Sequence, residues 1–459
     1  MSGRPLTASD RREANLSRTA GLHSHLRNML PAGTLSVGGG LLALGASTYG
    51  FLAISARALG PTRFASLSVL WVLVYTAGPG LFLPLEQETA RAVAARRAHG
   101  LGGRPVLLRA AVLGGGLLGA LALAVAAAHR PLLAILFDGD SLLLVGLMLS
   151  ILGVAAASLY RGALAGTGHF GRYGGQLALE GGLRVVGCAL LATAAVRTAG
   201  PYGILVGIAP ALTVLLLLFL RSPPELLPAG PPASWSEMSG ALALLLGGSL
   251  LSQSLVNAGP VLVQALATGP EHRLAGQFLA GLVVARVPLF LFAAVQAALL
   301  PGLAALASAG RLVELRAGLR RSTALVATLA AAGSLGTFLV GPEVVRLFFG
   351  AAYGLGRLDL LCLAIASGVY MLAVVWAQGL IALHGHGLAA TGWLVGVAVH
   401  LLVTAAAAGL LARVELGFLA GAAAAAATLA MLLQRRSADR LRETAAVSTD
   451  RRPSAQVQP

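Results

Sequence analysis

A pair of opposite charges interrupts a stretch of the sequence that is otherwise apolar. In LALEGGLRVVG, residues 177–187, Glu180 and Arg184 are four residues apart, which places them on one face of a helix. Arg286 has a similar setting in LVVARVPLFLF, two residues before Pro288. A guanidinium group presents a planar set of N–H donors that matches the oxygens of a phosphate. The two arginines therefore predict an anion site, and a purely structural Glu180–Arg184 ion pair is the alternative.

Further polar residues in the apolar runs could complete such a site or control access to it. Three amides lie on one predicted helix face, where they could bind sugar hydroxyls or hold helices together: Gln253, Asn257 and Gln264. A charged cluster closes another predicted helix, either as a gate or as a solvated helix end: Glu86, Glu88 and Arg91. His400 could carry a proton or be a hydrogen-bonded core residue. For Arg286 the alternative is a hydrogen bond to backbone carbonyls that Pro288 frees.

The composition places these residues in a membrane. Of the 459 residues, 57% are hydrophobic and 11% are charged, and the mean hydropathy is +0.82. A soluble domain of this kind would expose large apolar patches, so the bilayer is the expected solvent. Apolar runs of the roughly 20 residues that cross a bilayer predict helices at 34–57, 64–85, 106–128, 141–160, 174–196, 201–221, 239–267, 275–300, 322–341, 358–382, 389–411 and 416–434. We therefore expect an all-α polytopic membrane protein with twelve transmembrane helices.

The arginine distribution predicts the orientation of the chain. All 33 basic residues are Arg, and the formal net charge is +16. With the N-terminus in the cytoplasm, most of these arginines fall in cytoplasmic segments, as the positive-inside rule requires. Arg161, just after the fourth predicted helix, is counted among them. An even number of helices puts both termini in the cytoplasm. Membrane lipids are the expected neighbours of the arginine clusters, and no nucleic-acid partner is expected.

Proline-rich and polar stretches divide the chain. Prolines in 222–238 forbid a continuous helix, so this stretch is the predicted cytoplasmic linker between two six-helix bundles, 31–221 and 239–434. Residues 1–30 form an Arg-rich cytoplasmic leader in this interpretation, because no cleavage site follows the first apolar run. The tail, 435–459, is polar and is predicted to be disordered.

The two bundles carry an internal repeat. YRGALAGTGHFG (160–171) matches AQGLIALHGHGL (377–388) at a constant spacing of 217 residues, and Pro61 and Pro270 follow equivalent helices. Both bundles enter the membrane from the same side, so the repeat is parallel, with its axis along the membrane normal. This arrangement predicts a cleft between two bundles that rock between inward-open and outward-open states. The buried arginines do not recur in the opposite bundle, which favours a functional role for them.

Several activities are disfavoured by the sequence. GTGHFG (166–171) fits G-x-G-x-x-G, but an apolar helix rather than a strand precedes it, so nucleotide binding is not expected. The predicted outer loops are too short to house an active site, and no nucleophile or metal-ligand pattern stands out. We expect neither an enzyme nor a bound metal or cofactor.

A family resemblance rests on four segments: ISARALGPTRFASLSVLW, NAGPVLVQALATGP, GLVVARVPLFLFAAVQAALLP and RLDLLCLAIASGVYMLAVVWAQGLIAL. They resemble the polysaccharide-transporter (Wzx-type) flippases of the MOP superfamily, relatives of the MATE exporters. The resemblance covers about residues 30–434 and implies a V-shaped pair of six-helix bundles in the cytoplasmic membrane. It implies alternating-access transport of a polyprenyl-diphosphate-linked oligosaccharide, whose diphosphate Arg184 and Arg286 would hold. Glycosyltransferases or a polymerase of the same pathway are the expected protein partners.

Two alternatives stay open at this point. A MATE-like cation-coupled exporter of small molecules would need interior carboxylates, for which Glu180 is the candidate. A membrane scaffold for cell-envelope glycan assembly would transport nothing and would tolerate neutral replacement of its interior charges.

Overall fold

A computed structural model describes residues 34–220, 228–238, 240–406 and 409–450. Within these ranges the chain is helical apart from short turns and the linker. The predicted leader, 1–30, and the end of the predicted tail, 451–459, lie outside the described residues. Ten described segments are long and apolar enough to cross a membrane. The expected all-helical, multi-pass membrane protein is therefore confirmed.

The helices of the first half match the predicted ones in order but not at every boundary. They are α1 Thr34–Ala77, α2 Leu83–Ala98, α3 Arg104–Ala127, α4 Ser141–Gly166, α5 Phe170–Thr193 and α6 Ala199–Leu220. The predicted helix 34–57 and most of the predicted helix 64–85 fall within α1, because the chain bends at Gly60 instead of forming a loop. Gly60 has a φ of 74°, which glycine adopts without strain, and Pro61 cannot donate a backbone hydrogen bond. A π-helical turn, Gly78–Phe82, joins α1 to α2.

The second half differs from prediction at a helix break and at its end. Its helices are α7 Leu242–Leu266, α8 Arg273–Ala285, α9 Val287–Ser308, α10 Leu312–Phe349, α11 Arg357–Ala382, α12 His386–Ala406 and α13 Leu410–Asp450. The predicted helix 275–300 is divided into α8 and α9 at Arg286. Residues 435–450, predicted to be disordered, continue α13. Charges spaced for helical pairing, such as Asp439 and Arg442 at 3.9 Å, favour this extension.

The number of membrane crossings is not the number of helices. The span Leu35–Ala98 is 64 residues long and holds two predicted helices, whereas α8 and α9 are not among the ten candidate spans. The count of twelve crossings and the orientation of the termini therefore stay predictions.

Corresponding helices pack together in the two halves. In the first half α1 packs on α5, α4 on α6 and α2 on α4. In the second half α7 packs on α12, α11 on α13 and α9 on α11. These are the pairs that the internal repeat predicts to be equivalent. The halves meet mainly where α1 contacts α7 and α8.

Glycines bring α1 and α5 close together at the site described below. A Cβ atom added to Gly174 would overlap the carbonyl oxygen of Ser36, and one added to Gly181 would lie 2.7 Å from Ser47 Oγ. Close approach of backbones through small residues is a main source of helix association in membranes. This contact fixes the face of α5 that carries Arg184 against α1.

Candidate functional site

Four charged side chains of alternating sign meet inside the first half: Glu86, Arg161, Glu180 and Arg184. Arg161 lies 3.0 Å from Glu86 Oε2 and 3.8 Å from Glu180 Oε2. Arg184 lies 2.6 Å from Glu180 Oε1. None of the four side chains is more than 13% exposed. Because two carboxylates compensate two guanidiniums, the network carries no net charge.

Neutral side chains bind the remaining atoms of this network. Tyr173 donates a hydrogen bond to Glu86 Oε1 over 2.6 Å, and Gln176 donates to Glu180 Oε2 over 3.1 Å. Arg161 also donates to the carbonyl oxygen of the Gln176 side chain over 3.3 Å. Buried charges are tolerated when counterions and hydrogen bonds surround them in this way. The Glu180–Arg184 ion pair is thus present, as one link in a longer chain of charges.

Aromatic side chains complete the surroundings of Arg184. Its Nη1 donates to the Tyr75 hydroxyl over 3.4 Å, and its guanidinium carbon lies 5.7 Å from the ring centroid of Trp71. Trp71 and Tyr75 stack with their centroids 4.4 Å apart. Arg184 Nε is buried, and no described residue accepts a hydrogen bond from it. One donor of the network is therefore left over.

The network lines a cavity of about 180 Å³ that lies within the first half. Its polar wall consists of Tyr75, Glu86, Ser158, Arg161, Tyr173, Glu180 and Arg184. Apolar residues from α1, α2, α4, α5 and α6 form the rest of the wall. Arg286 does not line it, so the structure places the two predicted anion-binding arginines in separate surroundings.

Arg286 occupies the break between α8 and α9. The ring of Pro288 packs against Gly333 of α10, where a Cβ atom would overlap it, and Pro288 supplies no backbone donor. Arg286 Nη1 donates to Asn257 Oδ1 over 3.0 Å, whereas Nε and Nη2 are buried without a hydrogen-bond partner. Among the described residues no carboxylate lies within 4.0 Å of this guanidinium. The described partner of Arg286 is therefore an amide, and not the backbone carbonyls of the alternative interpretation.

Amide and aromatic groups surround Arg286. Asn257 donates to Gln253 Oε1 over 3.3 Å and to the backbone oxygen of Tyr75 over 3.4 Å. Because the Tyr75 hydroxyl accepts from Arg184, Tyr75 connects the two arginine sites. The ring of Phe418 lies 6.0 Å from the guanidinium carbon. The structure therefore brings together two of the three predicted amides with Arg286.

The third amide, Gln264, lies apart from this cluster. It is 3% exposed, seven residues further along α7, and its Oε1 has no partner among the described residues. His400 of α12 is 1% exposed, with its ring centroid 6.2 Å from that of Phe418 and its Nε2 unpartnered in the described chain. His400 and Arg286 thus share Phe418 as a neighbour, although His400 donates nothing to the cluster.

The charged cluster of α2 is buried at its two carboxylates and exposed at its arginine, since the Arg91 side chain is 53% exposed. Glu86 and Glu88 are 3% and 6% exposed. Glu88 pairs with Arg91 at 2.6 Å, and Arg91 donates to the backbone oxygen of Glu237 in the linker over 2.6 Å. Arg96 lies 2.7 Å from Glu237 Oε2. These contacts dock residues 228–238 on α2.

The docking of the linker lowers the pKa of Glu237. A hydrogen bond from Arg96 and one from the Ser234 backbone N–H hold the pKa of Glu237 below its usual value of 4.5. Both bonds favour the ionised form.

Arg161 was missed by sequence reasoning, which assigned it to a cytoplasmic segment. The fourth predicted helix ends at 160, whereas α4 continues to 166 and buries Arg161. The sequence signal that could have placed the helix end is Gly168, because glycine commonly follows the last turn of a helix. In the structure Gly168 has a φ of 78°. Three neutral members of the network carry no pattern that separates them from ordinary helix residues: Tyr75, Tyr173 and Gln176.

The fold has relatives among solved structures. No protein-family model matches the sequence, and no curated protein matches it. An inward-facing multidrug resistance MATE family transporter of the MOP superfamily is 15% identical, with a TM-score of 0.66 over 86% of this chain and 96% of the other. The fold is that of the MATE transporters.

Other conformations of MATE transporters are similar as well. An outward-facing multidrug resistance MATE family transporter is 13% identical, with a TM-score of 0.60 over 90% of this chain and 97% of the other. A variant of the Vibrio cholerae MATE transporter VcmN is 16% identical, with a TM-score of 0.58 over 88% and 98%. The expected likeness to MOP and MATE proteins is confirmed for the fold, and the polysaccharide-transporter branch stays a prediction.

Proposed function

We propose that this protein moves a polyprenyl-diphosphate-linked oligosaccharide across the cytoplasmic membrane by alternating access. The fold supports transport, because similar solved MATE transporters include inward-facing and outward-facing forms. The contacts between the halves support it too. They involve mainly α1, α7 and α8, so a rocking motion has to rearrange few helices.

The observation that supports an anionic substrate is that the guanidinium of Arg286 has no counterion among the described residues. Two of its nitrogens are buried without a partner, and no described carboxylate lies within 4.0 Å. A buried charge without a counterion is destabilising, so an anion that compensated it would be bound favourably. Nε and Nη2 share one edge of the guanidinium and together match two oxygens of a phosphate.

The neighbours of Arg286 suit the sugar part of such a substrate. Gln253 and Asn257 offer amide donors and acceptors on the same side of α7. The hydroxyls of Ser252 and Tyr370 lie 2.8 Å apart, and Tyr370 is within electrostatic range of Arg286. Ligand sites commonly combine a few convergent polar groups of this kind with apolar and aromatic walls.

Arg184 has a smaller part in the proposal than the sequence suggests. Glu180 compensates its charge at 2.6 Å, and only its Nε is free to bind a further acceptor. We therefore propose that Arg286 is the main diphosphate-binding residue. The network around Arg184 chiefly stabilises the packing of the first half.

Transport in proteoliposomes tests the proposal. The readout is the movement of a fluorescent polyprenyl-diphosphate-linked oligosaccharide between leaflets. Arg286→Gln removes the charge, and we expect the rate to fall at least about tenfold, because charge-assisted hydrogen bonds are lost. Arg286→Lys keeps the charge but lacks the planar pair of N–H donors, so its transport rate should be intermediate.

Arg273→Gln provides the matched control for this assay. Arg273 is exposed at the start of the same helix, α8, so its replacement changes the net charge equally but outside the site. This variant should transport at the wild-type rate. A wild-type rate in Arg286→Gln, or equal losses in both variants, contradicts the proposal.

A cation-coupled exporter of small molecules is the second candidate, and one observation favours it. Two buried carboxylates, Glu86 and Glu180, line the same 180 Å³ cavity. An exporter would pump a fluorescent organic cation out of proteoliposomes only under a proton or sodium gradient, and Glu180→Gln would abolish the pumping. The flippase proposal expects no such efflux.

A further inference from the structure

A groove between α10, α11 and α13 lies apart from both arginine sites. It has a volume of about 720 Å³. Two arginines, Arg316 and Arg320, lie towards one end of it, and Ala324 and Ala327 lie towards the other. Three uncharged polar residues also line it: Thr323, Gln434 and Ser437. The groove is thus charged towards one end and mainly apolar elsewhere.

The position of the groove along α10 corresponds to one leaflet of a bilayer. From Arg316 to Ala327 the helix rises about 16 Å at 1.5 Å per residue, which is close to half of the roughly 30 Å hydrocarbon thickness. Trp376 lines the same groove, and its indole N–H donates to Thr323 Oγ1 over 3.2 Å. Tryptophan is enriched at membrane–water interfaces, where its ring is apolar and its N–H is hydrogen-bonded. The charged end therefore lies at an interface and the apolar end inside the membrane.

The two arginines of the groove have no partner among the described residues. Arg316 and Arg320 are exposed, are one helical turn apart, and face no described carboxylate within 4.0 Å. The nearby carboxylate of Glu314 is bound by Arg311 at 2.5 Å. Like charges four residues apart destabilise a helix, so an anion between them would be stabilising.

We propose that this groove binds an anionic membrane phospholipid. The phosphate and headgroup lie between the guanidiniums of Arg316 and Arg320, which donate hydrogen bonds to the phosphate oxygens. One acyl chain passes Trp376 of α11 and follows Ala324 and Ala327 of α10. Arginine clusters beside membrane helices attract anionic lipids electrostatically, and the groove adds a fixed path for the chain. This site does not depend on the proposed transport activity.

Native mass spectrometry of the full-length protein tests the assignment. The protein is equilibrated in detergent with equal amounts of phosphatidylglycerol and phosphatidylcholine, and the retained lipids are counted. We expect phosphatidylglycerol to be retained preferentially. Arg320→Gln should lower its retention by about fivefold, the effect of one guanidinium at an anionic lipid surface.

The adjacent arginine gives a matched control. Arg321→Gln makes the same charge change one residue along α10, and Arg321 does not line the groove. It should retain phosphatidylglycerol as the wild type does. Ala327→Trp, at an exposed position that fills the apolar end, should lower the retention of both lipids.

Three outcomes would overturn the proposal. The first is equal retention of the two lipids by the wild type. The second is an equal loss in Arg320→Gln and Arg321→Gln, which would indicate attraction by net charge alone. The third is displacement of phosphatidylglycerol by a polyprenyl phosphate at a much lower concentration, which would assign the groove to an isoprenoid chain. Melting temperatures like that of the wild type show that the variants are folded.

Discussion

Arg184 in the first half and Arg286 in the second lie inside the same repeated architecture, yet their guanidinium groups have different partners. Arg184 belongs to a network in which Glu86 and Glu180 compensate two arginines. Arg286 has one amide partner and two unpartnered nitrogens. A compensated charge can serve as structure, whereas an uncompensated one is a reason to expect a ligand. The comparison therefore separates a half whose buried arginines are compensated from a half whose buried arginine is not.

The largest effect on stability is expected from Glu180→Gln. This change leaves Arg161 and Arg184 with one carboxylate between them, and removing one partner of a buried ion pair costs about 3–5 kcal/mol. The melting temperature in detergent should fall accordingly. In the exposed pair of Arg311 and Glu314, Glu314→Gln should cost only about 0–1 kcal/mol.

Arg286→Gln extends the same measurement to the second half. Because no described carboxylate depends on Arg286, its removal should leave the melting temperature unchanged or raise it. A fall as large as that of Glu180→Gln would mean that Arg286 is compensated after all, and the contrast between the halves would be lost.

A double-mutant cycle gives the next largest effect. Glu86→Gln and Arg161→Gln remove the two ends of one buried contact at 3.0 Å, so their effects on unfolding should be non-additive by about 0.5–3 kcal/mol. Glu86→Gln and Arg286→Gln lie in different sites and should be additive within about 0.5 kcal/mol. Equal coupling in both cycles would show that the two sites form one electrostatic unit.

The smallest effect is expected at the linker, where a partly exposed ion pair serves as a reference. The side chain of Glu237 is 32% exposed, so Glu237→Gln should cost about 1 kcal/mol or less. Its folded-state pKa lies below 4.5, so the stabilisation is present above pH 4.5 and is lost as the pH falls through the lowered pKa. The melting temperatures of wild type and variant should therefore converge on acidification. A difference that grows at low pH would contradict the assignment.

The sequence predicted what depends on local spacing. The Glu180–Arg184 pair follows from a separation of four residues. The helix break at Arg286 was not predicted, although Pro288, two residues further on, was noted. The apolar runs predicted nearly all of the helices, because the bilayer imposes their length. Membrane lipids were expected as neighbours of the arginine clusters, of which residues 311–321 contain one, but the groove beside this cluster depends on how three helices pack.

What the sequence could not supply is the pairing of residues far apart in the chain. Arg161 meets Glu86 across 75 residues, and Arg286 meets Asn257 across 29. These pairings depend on helix rotation and on glycine contacts that allow helices to approach. For that reason the sequence predicted one site with two arginines, whereas the structure has two separate sites, one without net charge and one positively charged.

Equilibrium binding of polyprenyl diphosphate, without any sugar, to the purified protein tests the central claim most directly. The account predicts that Arg286→Gln weakens binding at least about tenfold, since its two free donors are lost, whereas Arg184→Gln weakens it less than about threefold. The account would be contradicted if Arg184→Gln weakened binding as much as Arg286→Gln does. It would also be contradicted if Arg286→Gln bound polyprenyl diphosphate as tightly as the wild type.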